Sequence, residues 1–118
     1  MSQPPVSIHP YFKVHPGQMS AAQAIVPQFM EKSSAEKGLL YYEFTVNGDV
    51  VFCREAYRDA EAALLHLDNV STPLGAMLQV SDLIRLEIHG PASELEKMKT
   101  PLAALPVEWF EYADGLKK

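Results

Sequence analysis

Residues 39–69 read LLYYEFTVNGDVVFCREAYRDAEAALLHLDN, and the reading of this stretch decides the fold. Leu39 to Val46 and Val50 to Tyr57 are rich in aromatic and β-branched residues, which suit a pleated, half-buried surface. Asn47-Gly48 between them predicts a type I′ hairpin turn, whose two central residues need a positive φ that Asn and Gly tolerate best. Side chains alternate along a strand. Leu40, Tyr42, Phe44 and Val46 therefore share one face of the first strand, and Tyr41, Glu43 and Thr45 the other. On the second strand Val51, Cys53, Glu55 and Tyr57 oppose Val50, Phe52 and Arg54. Both faces carry apolar groups, so each needs a cover. Asp59 then predicts a helix N-cap, and Ala60, Ala63, Leu64, Leu67 and Ser71 a buried helical stripe. At roughly 100° per residue, His66 falls about 120° from the centre of that stripe, at its boundary.

Working outward, Val6 to His15 alternates as a strand, with Pro10 pointing to an edge or a bulge because it cannot donate to a ladder. Pro16-Gly17 reads as a turn. Residues 19–36 carry Ala22, Ile25, Val26, Phe29, Met30 and Ser33 at helical spacing, with Pro27 predicting a kink and Gly38 a stop. Thr72 to Val80 predicts a short extra helix. Asp82 to His89 predicts a cleanly alternating strand, with Leu83, Arg85, Glu87 and His89 against Ile84, Leu86 and Ile88. Ser93-Glu94-Leu95-Glu96 reads as a capping box opening a helix that ends near Thr100-Pro101. Val107 to Tyr112 predicts a C-terminal strand. The order is βαββαβ with an added short helix and a last strand, an α+β, ferredoxin-like split βαβ pattern. The expected organisation is one domain over residues 1–118, with tails at 1–5 and 113–118. Its helices cover one sheet face, and a second sheet from a partner subunit would cover the other, as in a two-fold homodimer.

Composition narrows the function classes. A net charge of −5 without a basic cluster argues against nucleic acid, whose binding rests on Lys and Arg neutralising phosphates. The single Cys53 rules out an intrachain disulfide and fits a reducing compartment. MSQPPV lacks the charged and apolar regions of a signal peptide, and no run approaches the roughly 20 apolar residues of a membrane helix. The expectation is a cytoplasmic protein without membrane association. His9, His15, His66 and His89 are scattered, with no ligand spacing for a metal. No Gly-rich turn opens a helix to hold a flavin or dinucleotide, so no cofactor is expected.

Glu55-x-Tyr57-x-Asp59-x-x-Ala62-x-x-x-His66, after a Tyr-rich strand and a short turn, resembles the antibiotic biosynthesis monooxygenase family. The resemblance spans roughly residues 5 to 112 and implies a dimeric α+β barrel. Enzymes of that family oxygenate phenolic, anthrone-like or quinol substrates without flavin, haem or metal. Many members follow the helical histidine with a Ser-Pro-His-Phe-like segment. Here Asp68-Asn69-Val70-Ser71-Thr72-Pro73-Leu74 follows, without the second histidine.

Such chemistry needs an apolar pocket and a base or polar partner for a developing phenolate. His66 is the candidate base, since imidazole titrates near neutral pH; alternatively it is a boundary histidine bonded to nearby backbone. Glu55 is placed to orient His66 or a substrate hydroxyl, or else to pair with Arg54, Arg58 or Arg85. Tyr41, Tyr42 and Tyr57 are candidates to line the pocket of an aromatic ligand, or to pack with satisfied hydroxyls. Trp109 and Phe110 are candidates for pocket lining or for core and dimer contacts. Cys53 reads as a small buried hydrophobe. Two other functions share these residues: a non-catalytic ligand-binding or stress-response barrel, and an isomerase or decarboxylase.

Overall fold

The computed structural model, which describes residues 3–118, is built on one mixed sheet of five strands in the order β2-β3-β1-β4-β5. The strands are β1 (Val6–Val14), β2 (Leu39–Asn47), β3 (Val50–Tyr57), β4 (Ser81–Gly90) and β5 (Val107–Glu111). Four helices, α1 (Met19–Ser33), α2 (Ala60–Asn69), α3 (Ser71–Val80) and α4 (Ala92–Lys99), connect them. β1 is central and antiparallel to both β3 and β4, while β5 returns through α4 and lies parallel to β4. This is the ferredoxin-like α+β pattern β1-α1-β2-β3-α2-β4, with α3, α4 and β5 added to it. Of the tail expected over 1–5, Met1 and Ser2 lie outside the described residues.

Alternation places the core as expected on β1, where Val6, Ile8, Phe12 and Val14 are buried. One core cluster joins Val6, Ile8, Tyr57 and Ile88 to Ala60 and Ala63 of α2 and to Leu95 and Met98 of α4. A second joins Phe12, Val14 and Val51 to Ala22, Ile25 and Phe29 of α1 and to Met77 of α3. Burying each such large side chain is worth roughly 1.5–3 kcal/mol. All four helices thus cover one sheet face. On the other face Tyr41 and Phe110 remain 44% and 40% exposed.

Five local expectations are corrected. The hairpin pairs Asn47 with Val50, so the turn residues are Gly48 and Asp49. Only Gly48 takes a positive φ, +60°, the pattern of a type II′ turn with glycine first. The alternation of β4 breaks at a bulge: Tyr11 faces Arg85, but Phe12 faces Leu83, leaving Ile84 unpaired and 55% exposed. Leu83 thereby turns toward the core face with Leu86 and Ile88. Pro10 lies in the central strand, not at an edge; its ladder to β3 is interrupted there, with the bulge one residue further on. The Ser93–Glu96 capping box does not form, because α4 starts at Ala92 behind Pro91 and lacks a side-chain cap. Its Glu94 accepts instead from the free backbone N–H of Ala60 at 2.9 Å and from Lys97 at 2.7 Å. Finally, α1 ends at Ser33, short of residue 36. It runs through Pro27 on its exposed side, where the missing hydrogen bond leaves a carbonyl to water.

Asp59 caps α2 as expected, its carboxylate accepting from Ala62 N at 2.9 Å. α2 buries Ala60, Ala63 and His66, with Leu64 and Leu67 half-buried. His66 is therefore part of the buried face, only 1% exposed, and not a half-exposed boundary residue. The helix rotates this way because His66 finds polar partners inside.

Candidate active site

Between the sheet and the helices lies an apolar cavity of about 90 Å³. Ile8 and Phe12 of β1, Phe29 of α1, Leu74 of α3 and Ile88 of β4 contribute to its walls. Leu78 and Leu105 also line it and are 44% and 43% exposed, so they form its rim. Polarity enters the lining through Tyr42, Cys53, Glu55 and His66 alone.

These polar groups continue into a buried row. Alternation on β3 turns Glu55 toward the helices, where its side chain is 5% exposed. Tyr57, two residues on and on the same face, donates its hydroxyl to Glu55 Oε1 at 2.6 Å. His66 Nε2 lies 3.3 Å from that same oxygen. On the opposite edge of the ring, Nδ1 lies 3.0 Å from both carboxylate oxygens of Glu36, with Ser33 Oγ at 3.5 Å. Asn69 Nδ2, one turn along α2, donates to Glu36 Oε2 and to the Lys32 carbonyl, both at 2.7 Å. The rings of Tyr42 and Tyr57 each lie 4.9 Å from the imidazole. Glu36 faces an outer groove it shares with Lys32, Lys37 and Arg58, whereas Glu55 faces the cavity.

A buried ring between two carboxylates is stable only as a double donor, the imidazolium. Burial by itself pulls the His66 pKa down, but the hydrogen bond and charge of Glu55, with those of Glu36, raise it above the usual 6.5. The folded state thus holds this proton more tightly than the unfolded chain. The stabilisation is complete below about pH 6.5 and is lost as pH rises through the raised pKa. Urea unfolding from pH 6 to pH 9 is expected to show stability falling with pH, and His66→Gln to flatten that slope. Burial, and then the Glu55 charge, push the Tyr57 and Cys53 pKa values up, so both stay neutral. Cys53 is buried, a small core residue.

Of the residues singled out in the sequence, the structure brings together Glu55, His66, Tyr42 and Tyr57. Tyr57 sits behind Glu55 rather than in the cavity wall. Tyr41 lies on the opposite sheet face. Phe110 stacks on His89 on that face with ring centroids 4.6 Å apart. Trp109 packs against the cluster beneath α4, with Lys99 Nζ 6.0 Å from its ring. None of these three reaches the cavity: Tyr41 and Phe110 point away from the helices, and Trp109 packs beneath α4, whereas Tyr42 and Phe44 on the inner face of β2 do line it. None of the three arginines considered for Glu55 pairs with it: Arg58 lies 3.8 Å from Asp59, Arg85 pairs with Glu87 and Glu108, and Arg54 is exposed on the opposite face of β3. Among the described residues no group of three or more His, Cys, Asp or Glu could hold a metal ion, and no helix is long and apolar enough to cross a membrane.

Sequence reasoning missed Glu36, which it placed at the end of a helix. The available signal was Asn69, three residues after His66 on the same helix face, and Gly38. A Cβ on Gly38 would meet Ala62 Cβ at 2.4 Å, so only glycine lets residues 34–38 lie against α2. Neither that Cβ nor the helix backbone can yield cheaply. Gly38→Ala is expected to destabilise the chain by about 1–3 kcal/mol, measured by urea unfolding.

The sequence model of the antibiotic biosynthesis monooxygenase family matches residues 5–71, more than half of the chain and all of the segment bearing Glu36, Glu55 and His66. No functionally curated protein matches the chain. Among solved structures, MupZ from Pseudomonas fluorescens is 35% identical over 97% of this chain and 94% of its own, with a TM-score of 0.92. Rv0793 from Mycobacterium tuberculosis (21% identical, 75% of this chain and 95% of its own, TM-score 0.65) shares the fold. So does a conserved protein from Methanosarcina mazei (16% identical, 74% and 90%, TM-score 0.65). On the family match and on the likeness to MupZ along nearly its whole length, this chain belongs to the antibiotic biosynthesis monooxygenase family.

Proposed function

We propose that the protein is a cofactor-independent monooxygenase that acts on an aromatic or quinol-like small molecule bearing one ionisable group. The observation that supports this best is the buried Glu36–His66–Glu55 row ending in an apolar cavity. In this reading Glu55 takes a proton from the substrate, and the imidazolium of His66 offsets the added charge. The electron-rich anion reduces O₂, carbon and oxygen combine as a peroxide, and Glu55 returns its proton. Loss of water leaves a carbonyl, so that R₂CH₂ + O₂ gives R₂C=O + H₂O. The apolar walls exclude water and strengthen each charge interaction.

The cavity volume of about 90 Å³ is below the roughly 150 Å³ that accommodates benzene. A ring-sized substrate therefore requires Leu78 and Leu105 at the rim to move outward. The half-covered sheet face with Tyr41 and Phe110 supports a homodimer in which a second copy packs on it. The lone Cys53 is in keeping with a cytoplasmic setting.

Oxygen consumption with a panel of anthrones and hydroquinones tests the reading. Uptake that requires Glu55 and His66 is expected. Substrate turnover without oxygen uptake would replace it with an isomerase or decarboxylase using the same acid–base pair. Ligand binding without turnover would replace it with a binding module.

A further inference from the structure

The cavity-facing carboxylate and histidine leave open what keeps the ring in its orientation. Both Glu36 oxygens are 3.0 Å from Nδ1, and that carboxylate is itself held by the Asn69 amide at 2.7 Å. Asn69 is tied in turn to the last turn of α1 through the Lys32 carbonyl at 2.7 Å. Gly38 presses the same connection against α2. The glutamate thus reaches the ring from a segment outside every helix and strand, locked at both ends.

We propose that Glu36 is a positioning residue, anchored by Asn69, that fixes the His66 ring with Nδ1 outward and so presents Nε2 to Glu55 at the cavity. Here Glu36 plays toward His66 the part a carboxylate plays toward an active-site histidine elsewhere: it selects which nitrogen carries the permanent proton and sustains the charged form. The role deepens the proposed acid–base function and rests on it only for its catalytic meaning.

The groups facing the ring are few. Glu55 and Tyr57 come from β3, Tyr42 from β2, Ser33 from α1, and Glu36 from the connection. Lys32, Lys37 and Arg58 line the outer groove that Glu36 shares, but none of them forms an ion pair with it. Asp59, Glu61 and Asp68 line that groove as well, but among the described residues Glu36 is the carboxylate within hydrogen-bond distance of Nδ1.

Nitrogen-15 NMR of the imidazole through a pH titration tests this without any substrate. In the unaltered protein both ring nitrogens are expected to be protonated at pH 7. Glu36→Gln keeps the shape and removes the charge; it is expected to shift the His66 protonation equilibrium at least tenfold toward the neutral ring. Glu36→Asp is expected to restore part of it, and Asn69→Ala to lose part of it with Glu36 in place. Glu31→Gln, on α1 away from the ring, is the control. An unchanged His66 titration and tautomer in Glu36→Gln overturns the proposal, even if stability falls, because a merely structural glutamate would alter only the latter. Should Glu36→Gln fail to fold, an unchanged titration in Asn69→Ala overturns it equally. Absence of oxygen uptake leaves these spectra unaffected, so the two readings fail separately.

Discussion

Replacing His66 by alanine is expected to destabilise the protein by about 3–5 kcal/mol at pH 7, the cost of removing one member of a buried ion pair. Two effects combine. Glu36 and Glu55, with side chains 9% and 5% exposed, lose the cation between them and are left as buried like charges. The ring also vacates space next to Tyr42 and Tyr57, which forfeits packing. The pH dependence separates the two. The unaltered protein loses stability as pH rises above 6.5, whereas the alanine variant has no imidazolium to deprotonate and should lack that slope. Urea unfolding at several pH values measures both slopes. A loss below 1 kcal/mol with no pH signature would mean that the row does not stabilise the fold as a charged unit.

Glu55→Gln is expected to have the largest effect on turnover, a fall in kcat/KM of about 10²–10⁴-fold on any substrate the protein converts. The amide oxygen can still accept from the Tyr57 hydroxyl, now 2.6 Å from the carboxylate, so the side chain keeps its place. What disappears is the ability to take up a proton at the cavity wall. Steady-state kinetics should show the loss in kcat rather than in KM, since the apolar walls that would hold the substrate are untouched. Turnover within threefold of the unaltered protein would remove Glu55 from the chemistry and return the role of base to His66 itself.

The two substitutions report on different parts of the site. Losing His66 strips both carboxylates of their cation and is read first in stability. Losing the Glu55 charge spares the ring, which keeps Glu36 on its other side. A double variant of His66 and Glu36 should therefore cost less than the sum of the singles, because the second change removes a charge that the first left unpaired.

Much of this was legible in the chain, for a physical reason that can be named. Alternation of apolar residues with period two showed which side chains of β1 face the helices, and Asp59 before Ala60 marked the start of α2. Such signals are local: strand geometry and an orphan backbone N–H act within a few residues. Glu55, Tyr57 and His66 were visible as candidates for the same reason, two lying on one strand face and the third on the helix that follows it. Tertiary structure alone decided the rest. The turn moved to Gly48-Asp49, and a bulge at Ile84 moved Leu83 to the core face, because pairing register belongs to two strands at once. Glu94 left its own helix for the free N–H of Ala60. His66 is fully buried rather than at a boundary, where Glu36, 30 residues earlier, and Glu55 meet it. A buried charge takes its position from its partners, and those partners come from segments that become neighbours only when the chain has folded.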